Sequence, residues 1–229
     1  MKFFISLIAL VVLTGCNTIP TSDINALNTQ SSNFNNSVTW KASCGSRYKH
    51  RDGTFIFTVE KDSIGGCSSD KKAQKFYTHS ERSEVKSDRI FGGKNLKPGT
   101  YTWSADIEIQ RDCDEPAVRN TLFQLHDGRS SGAPPSWFGI NDQGNFRTNQ
   151  RKYMYGPVPK SNKFNLVSEI EYKDTGQVLV TYVVDGKAIA KTNGYKKTSE
   201  LYMKFGVYRV VSNCKIVQKY ANVEFRKIK

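Results

Sequence analysis

Three short stretches of this 229-residue chain put proton-handling and charged side chains on one face of a strand. In Leu201-Tyr202-Met203-Lys204-Phe205-Gly206-Val207-Tyr208-Arg209, a period-2 alternation sets Tyr202, Lys204, Gly206 and Tyr208 on one side and Met203, Phe205 and Val207 on the other. The same parity groups Arg82, Glu84 and Lys86 in a second stretch, and Gln124 and His126 in a third. Together they offer cations, hydrogen-bond donors and a phenol. There is no serine, histidine and aspartate arrangement with an evident nucleophile, no glycine-rich phosphate loop and no carboxylate pair suited to glycoside hydrolysis. The set suits a reaction in which negative charge grows beside an existing carboxylate, such as loss of the C5 proton of a uronic acid. Cations and donors would hold the carboxylate while a base takes the proton and an acid delivers one to the leaving glycosidic oxygen. Nearby positive charge favours a phenolate, so a tyrosine between Lys204 and Arg82 qualifies as base as well as acid.

Taken singly, each residue has an ordinary reading: a sheet tyrosine, a solvated strand lysine, a surface ion pair of Arg82 with Glu84. Shared parity and order favour an active face. Arg82-Ser83-Glu84-Val85-Lys86 resembles the Arg-Ser/Thr-Glu-Leu-Arg motif of polysaccharide lyase family 7 alginate lyases. Gln124-Leu125-His126 resembles their Gln-Ile/Val-His motif, and Tyr202-Met203-Lys204-Phe205-Gly206-Val207-Tyr208 resembles Tyr-Phe-Lys-Ala-Gly-Val-Tyr. All three occur in the family's order. The resemblance implies an all-β fold, a concanavalin A-like β-jelly-roll sandwich of two antiparallel sheets with a concave cleft for an anionic polysaccharide, cut by β-elimination. Alginate is the substrate it favours. It implies Tyr208 as catalytic acid and base, His126 as base or carboxylate neutraliser, and Arg82 with Gln124 as the carboxylate clamp. It makes Lys204 a subsite contact, with Glu84, Lys86, Tyr202 and Arg209 as further substrate contacts.

The chain departs from that pattern at Arg209-Val210, where the family has Asn-Gln, and at Lys86 in place of Arg. Its Lys-Phe-Gly-Val-Tyr-Arg ending, with Gly128-Arg129 and Pro134-Pro135, is also similar to heparin-lyase-I-like and glucuronan-lyase-like jelly rolls. A heparin-, glucuronan- or other uronate-specific lyase on the same fold is therefore an alternative, as is a non-catalytic glycan-binding lipoprotein. Binding alone needs no acid/base pair, and His126 and Tyr208 together speak against a pure binder.

These residues need strands to hold them. The clearest is 101–110, where Tyr101, Trp103, Ala105, Ile107 and Ile109 share one face and polar residues the other. Further strands are expected at 54–60, 75–86, 118–127, 137–141, 164–172, 177–184, 187–191, 201–210 and 215–227. Turns such as Lys97-Pro98-Gly99, Asp142-Gln143-Gly144 and Asp185-Gly186 separate them. No long amphipathic helix interrupts them, so an antiparallel sandwich or barrel of one domain, 38–229, is expected. Trp137 and the Tyr153/Tyr155 pair could stack on sugar rings or pack in the core. His50 and His79 carry no pattern and read as surface residues.

Residues 1–16 read as a lipoprotein signal: Lys2, an apolar run from Phe3 to Leu13, then Leu13-Thr14-Gly15-Cys16, which resembles a bacterial lipobox with Cys16 as the lipidated residue. The apolar run is short for a membrane span. Residues 17–37, rich in Asn, Ser and Thr, read as a flexible tether. The expected partners are thus a membrane, reached through lipid on Cys16 at the bacterial outer membrane, and the polysaccharide; the alternative is plain secretion, and the chain is expected to be a monomer. With Cys16 modified, four cysteines remain, and Cys44–Cys67 with Cys113–Cys214 is the expected pairing of the three possible. No Cys-x-x-Cys pair is present and there are only three His residues, so neither a metal nor another cofactor is expected. The net charge of +13 calls for a polyanion. Nucleic acid fits poorly with export and with the lack of a recognition motif.

Overall fold

The computed structural model describes residues 33–34, 38–44, 46–67, 71, 80–88, 98–113, 119–127, 134–150, 154–195, 201–210 and 212–228. The signal with Cys16, most of the tether, His79, Gly128-Arg129 and Tyr153 lie outside the described residues. Among those described there are fifteen strands and no helix. Numbered along the chain, eight form one antiparallel sheet in the order β1 (Asn33–Phe34), β2 (Val38–Ala42), β5 (Ser80–Ser87), β14 (Leu201–Val210), β7 (Asn120–Asp127), β8 (Ser136–Ile140), β9 (Asn145–Thr148), β10 (Met154–Pro157). Seven form the other: β13 (Lys187–Tyr195), β12 (Gln177–Val184), β11 (Lys163–Tyr172), β6 (Gly99–Arg111), β15 (Ile216–Lys227), β4 (Thr54–Val59), β3 (Tyr48–Arg51). This is the expected all-β sandwich.

Alternation decides which face of each strand turns inward. In β12 every second residue is buried, Val178, Val180, Tyr182 and Val184, and β11 matches it with Phe164, Leu166, Ile170 and Tyr172. The two sheets meet on aromatic rings. Phe205 of β14 lies 4.8 Å from Trp40, 5.7 Å from Phe57, 5.4 Å from Trp103 and 5.1 Å from Tyr220, all fully or almost fully buried. Edge-on and tilted ring pairs at these spacings add about 0.5–1.5 kcal/mol each beyond their area burial. One residue of the motif strand therefore anchors the core while its neighbour Lys204 stands on the opposite face.

Asp185-Gly186 forms the expected two-residue hairpin, with φ of 48° and 77°, the paired positive values of a type I′ turn. Both expected disulfides form, Cys44–Cys67 and Cys113–Cys214. The second closes a sequence separation of 101 residues, which by chain entropy stabilises the fold by roughly 4–5 kcal/mol. It fastens the segment after β6 to the segment after β14, so it also steadies the strand that carries Tyr208.

Candidate active site

The outer face of the eight-stranded sheet gathers the three motifs because β14 lies between β5 and β7. Across β5 and β14, Lys86 stands opposite Lys204, Glu84 opposite Gly206 and Arg82 opposite Tyr208. Across β14 and β7, Lys204 stands opposite Gln124 and Tyr202 opposite His126. Parity alone could not bring them together; this strand order does.

At the centre is Glu84, 1% exposed. Its Oε2 accepts a 2.6 Å hydrogen bond from Arg82 Nη1 and its Oε1 a 2.7 Å bond from Gln124 Nε2. The carboxylate thus spans from β5 over β14 to β7 and ties Arg82 and Gln124 to one anion. A carboxylate only accepts, so the contact also sets which end of the Gln124 amide faces Glu84. The Arg82 guanidinium in turn lies over the Tyr208 ring, 4.1 Å from its centroid. Farther along, the His126 and Tyr202 rings stack at 5.1 Å, and Lys204 Nζ lies 5.7 Å from the Tyr202 ring.

Gly206 lets β14 pack closely against the β5 backbone and the opposite sheet. Its φ is 126°, and a Cβ there would sit 2.4 Å from the Ser83 carbonyl oxygen and 3.1 Å from the Phe57 ring. The β14 and β7 register shifts between Phe205 and Tyr208, leaving carbonyls without a regular ladder partner. Tyr220, from the other sheet, places its hydroxyl 3.1 Å from both Gly206 O and Leu122 O. Burial pushes its phenol well above the ordinary value, so it stays a neutral hydroxyl able to donate. Gly206→Ala is expected to cost about 1–3 kcal/mol in denaturant unfolding and to slow the reaction proposed below by displacing Glu84. An unchanged unfolding midpoint would mean the bulge relaxes around the methyl group.

Two expected substrate contacts are placed differently. Arg209 is buried, its side chain fully so, with Nε donating to Glu81 Oε2 and Nη2 to Cys214 O. Odd-numbered residues of β14 face the core, and Arg209 follows them; it belongs to an internal ion pair and not to the substrate face. Burial pushes the Glu81 carboxyl up to about 7, against the pull of Arg209 and the Ser212 N–H. Glu84 is on the right face but lies beneath Arg82 and Gln124, so it positions them. Lys86 is exposed, Tyr208, His126 and Tyr202 are half-buried, and Lys204 is 7% exposed. Tyr208 and His126 do not stand together. Tyr208 is opposite Thr121 and His126 opposite Tyr202, about 17–20 Å apart along the strands at about 3.3 Å per residue.

Two residues extend this face. Trp137 is in register with Gln124, and the guanidinium of Arg147, which the sequence reading passed over, lies 4.9 Å from the Trp137 ring centroid. The signal was present in Asn145-Phe146-Arg147-Thr148, which alternates directly after a turn, with Phe146 and Thr148 buried. Among the described residues no group of three or more His, Cys, Asp or Glu side chains could hold a metal ion.

No protein-family model and no curated protein sequence matches the chain. Solved structures do. An endo-β-1,4-glucuronan lyase from Trichoderma reesei superposes with a TM-score of 0.54 at 11% identity, over 87% of this chain and 92% of that one. The alginate lyase AlyC3, also solved in complex with dimannuronate, gives 0.52 at 16% identity over 77% and 75%. An alginate lyase from Corynebacterium sp. gives 0.51 at 14% identity over 81% and 83%. The chain has the β-jelly-roll fold of these polysaccharide lyases.

Proposed function

We propose that the chain is a polysaccharide lyase that cleaves an acidic, uronate-containing polysaccharide by β-elimination, alginate first and glucuronan second. The observation that carries this reading is the Arg82 guanidinium stacked on the Tyr208 ring and tied, with Gln124, to one buried carboxylate. The fold shared with alginate and glucuronan lyases supports it, as does dimannuronate bound to AlyC3. In the reaction the C5–H and C4–O4 bonds break and a C4=C5 double bond forms. Tyr208 takes the C5 proton and returns one to the leaving O4 oxygen, which one residue can do where both lie on the same side of the ring. Arg82 and Gln124 steady the carboxylate as negative charge spreads onto it. His126, displaced along the strands from Tyr208, neutralises a neighbouring carboxylate, and Lys204 and Lys86 draw the polyanion in.

The deciding experiment follows ultraviolet absorbance of unsaturated uronate ends on alginate, glucuronan, heparin-type and hyaluronan polymers. A gain on at least one is expected, with KM rising as salt screens the cations over about 8 Å. Arg82→Ala should lower kcat as well as raise KM, because its charge matters more as the enolate develops. No gain on any of these polymers would favour a glycan-binding protein on the same frame.

The enzyme is also proposed to be an exported lipoprotein held to the outer membrane through Cys16. Cys16→Ser should move the protein from the membrane fraction to the soluble one with its activity intact. A variant that still sediments with membranes would exclude the anchor.

A further inference from the structure

Two rows of residues cross the eight-stranded sheet at right angles to its strands. One runs Lys41, Lys86, Lys204, Gln124, Trp137, each in register with the next. The other runs Arg82, Tyr208, Thr121, Gly139, Arg147. Lys86 and Lys204 stand side by side on neighbouring strands and repel one another, while Lys41 at the end of the row pairs with Asp88 at 3.0 Å; an anion lying across Lys86 and Lys204 removes that cost. Between the rows is the line of Gly206 and Glu84, whose carboxylate is buried beneath Arg82 and Gln124. The rows therefore flank a path that crosses the strands and passes Tyr208.

At the β9 end of this path the arrangement changes. Gly139, opposite Arg147, has no side chain, and Phe138 beside it points into the core against Phe146 and Tyr182. Arg147 leans across this gap from its own row onto the Trp137 ring of the other. The product is a guanidinium held over an indole ring, with both residues half-buried. Three strand spacings separate β9 from β14, about 14 Å, the span of a short oligosaccharide.

Resting on the lyase reading, we propose that Arg147 and Trp137 form an outer subsite for a uronate unit several sugars from the bond cleaved at Tyr208. The guanidinium takes the carboxylate through charge-assisted hydrogen bonds, and the planar pair receives a face of the sugar ring. The ring contact holds Arg147 in place before substrate arrives, so less side-chain freedom is lost on binding. The polymer then lies across the strands, and the enzyme gains from each unit that reaches this platform. Cleavage within the chain is favoured over trimming of its end.

The test uses a ladder of oligouronates, trimer to octamer, cut from the polymer that the wild-type enzyme degrades best. For Arg147→Gln and Trp137→Ala, the ratio of kcat/KM on the octamer to that on the trimer should fall about tenfold relative to wild type, the loss of one charge-assisted or stacking contact. Affinity electrophoresis through the same polymer, with each substitution added to Tyr208→Phe, should show weaker retardation, a readout that needs no turnover. Arg147→Lys keeps charge without the planar fork and should fall between. Circular dichroism confirms folding, and Arg147→Gln, which leaves the indole in place, stands alone should Trp137→Ala unfold. A wild-type length dependence in folded Arg147→Gln overturns the subsite and leaves the lyase reading intact. If wild type cleaves no polymer, the lyase reading fails, and electrophoresis still decides whether Arg147 and Trp137 bind the chain.

Discussion

Tyr208→Phe is expected to reduce turnover by at least about a thousandfold on every polymer the enzyme cleaves, since a positioned acid or base contributes roughly 10²–10⁴ and the proposed mechanism gives one phenol both proton steps. The substitution removes a single oxygen atom. The ring, and with it the 4.1 Å seat of the Arg82 guanidinium, stays in place. KM should therefore change little while kcat collapses, the signature of an interaction made only in the transition state. His126→Asn is the contrasting case. Its ring stacks on Tyr202, away from Tyr208 along the strands, so its loss should act more on KM than on kcat for units whose C5 proton and O4 share a side. Initial rates of both variants on homopolymeric blocks of each epimer separate the roles. Appreciable turnover by folded Tyr208→Phe would remove Tyr208 from the chemistry.

Arg209→Met is expected to destabilise the fold by about 3–5 kcal/mol, because it leaves Glu81 inside the protein without its partner, either to stay charged or to take up a proton. The same arginine also donates to the Cys214 carbonyl, so the loop bearing the Cys113–Cys214 bridge loses a tie as well. Glu81→Gln added to Arg209→Met should recover part of the loss, since the amide no longer carries a buried charge. Urea unfolding measures both. Rate per folded molecule should stay within about twofold of wild type, because Arg209 faces the core and only substrate contacts alter binding of the transition state. A large KM effect with unchanged stability would return Arg209 to the substrate face.

Long alternating strands were legible in the sequence. Strand β12 is found at the expected bounds and β14 likewise, because each carries an apolar stripe on its inward face, interrupted in β14 by Arg209. The short strands β3, β9 and β10 were passed over, since four residues hold too little alternation to stand out. Asp52-Gly53 was a missed turn signal of the same type as Asp185-Gly186, with φ of 49° and 73°. Face parity set Arg82, Gln124, Lys204 and Tyr208 on the outward faces of their strands, yet it equally turned Arg209 inward with Phe205 and Val207, a consequence the motif reading overlooked. His50, expected at the surface, stacks 4.4 Å from Phe55 and is half-buried. Glu84 as the tie between Arg82 and Gln124 was beyond reach, because it depends on strand order across β14 and on a bulge that no local pattern announces.

That strand order also dictates when the molecule can close. β14 fills the slot between β5 and β7, and β15 fills the slot between β4 and β6 in the other sheet. Both come from the C-terminal end of the chain. During synthesis everything up to β13 emerges first, with four strand edges inside the future sheets still open and their amide groups unanswered. Such edges are templates for pairing with another copy, so a nascent or truncated chain is exposed to aggregation until its last segment arrives. Three of the four pairings that close the gaps join residues more than a hundred positions apart, such as Lys204 with Lys86, and long-range closure of this kind is slow. Folding is therefore completed from the tail, and the face bearing Tyr208 comes into being at the same moment as the core.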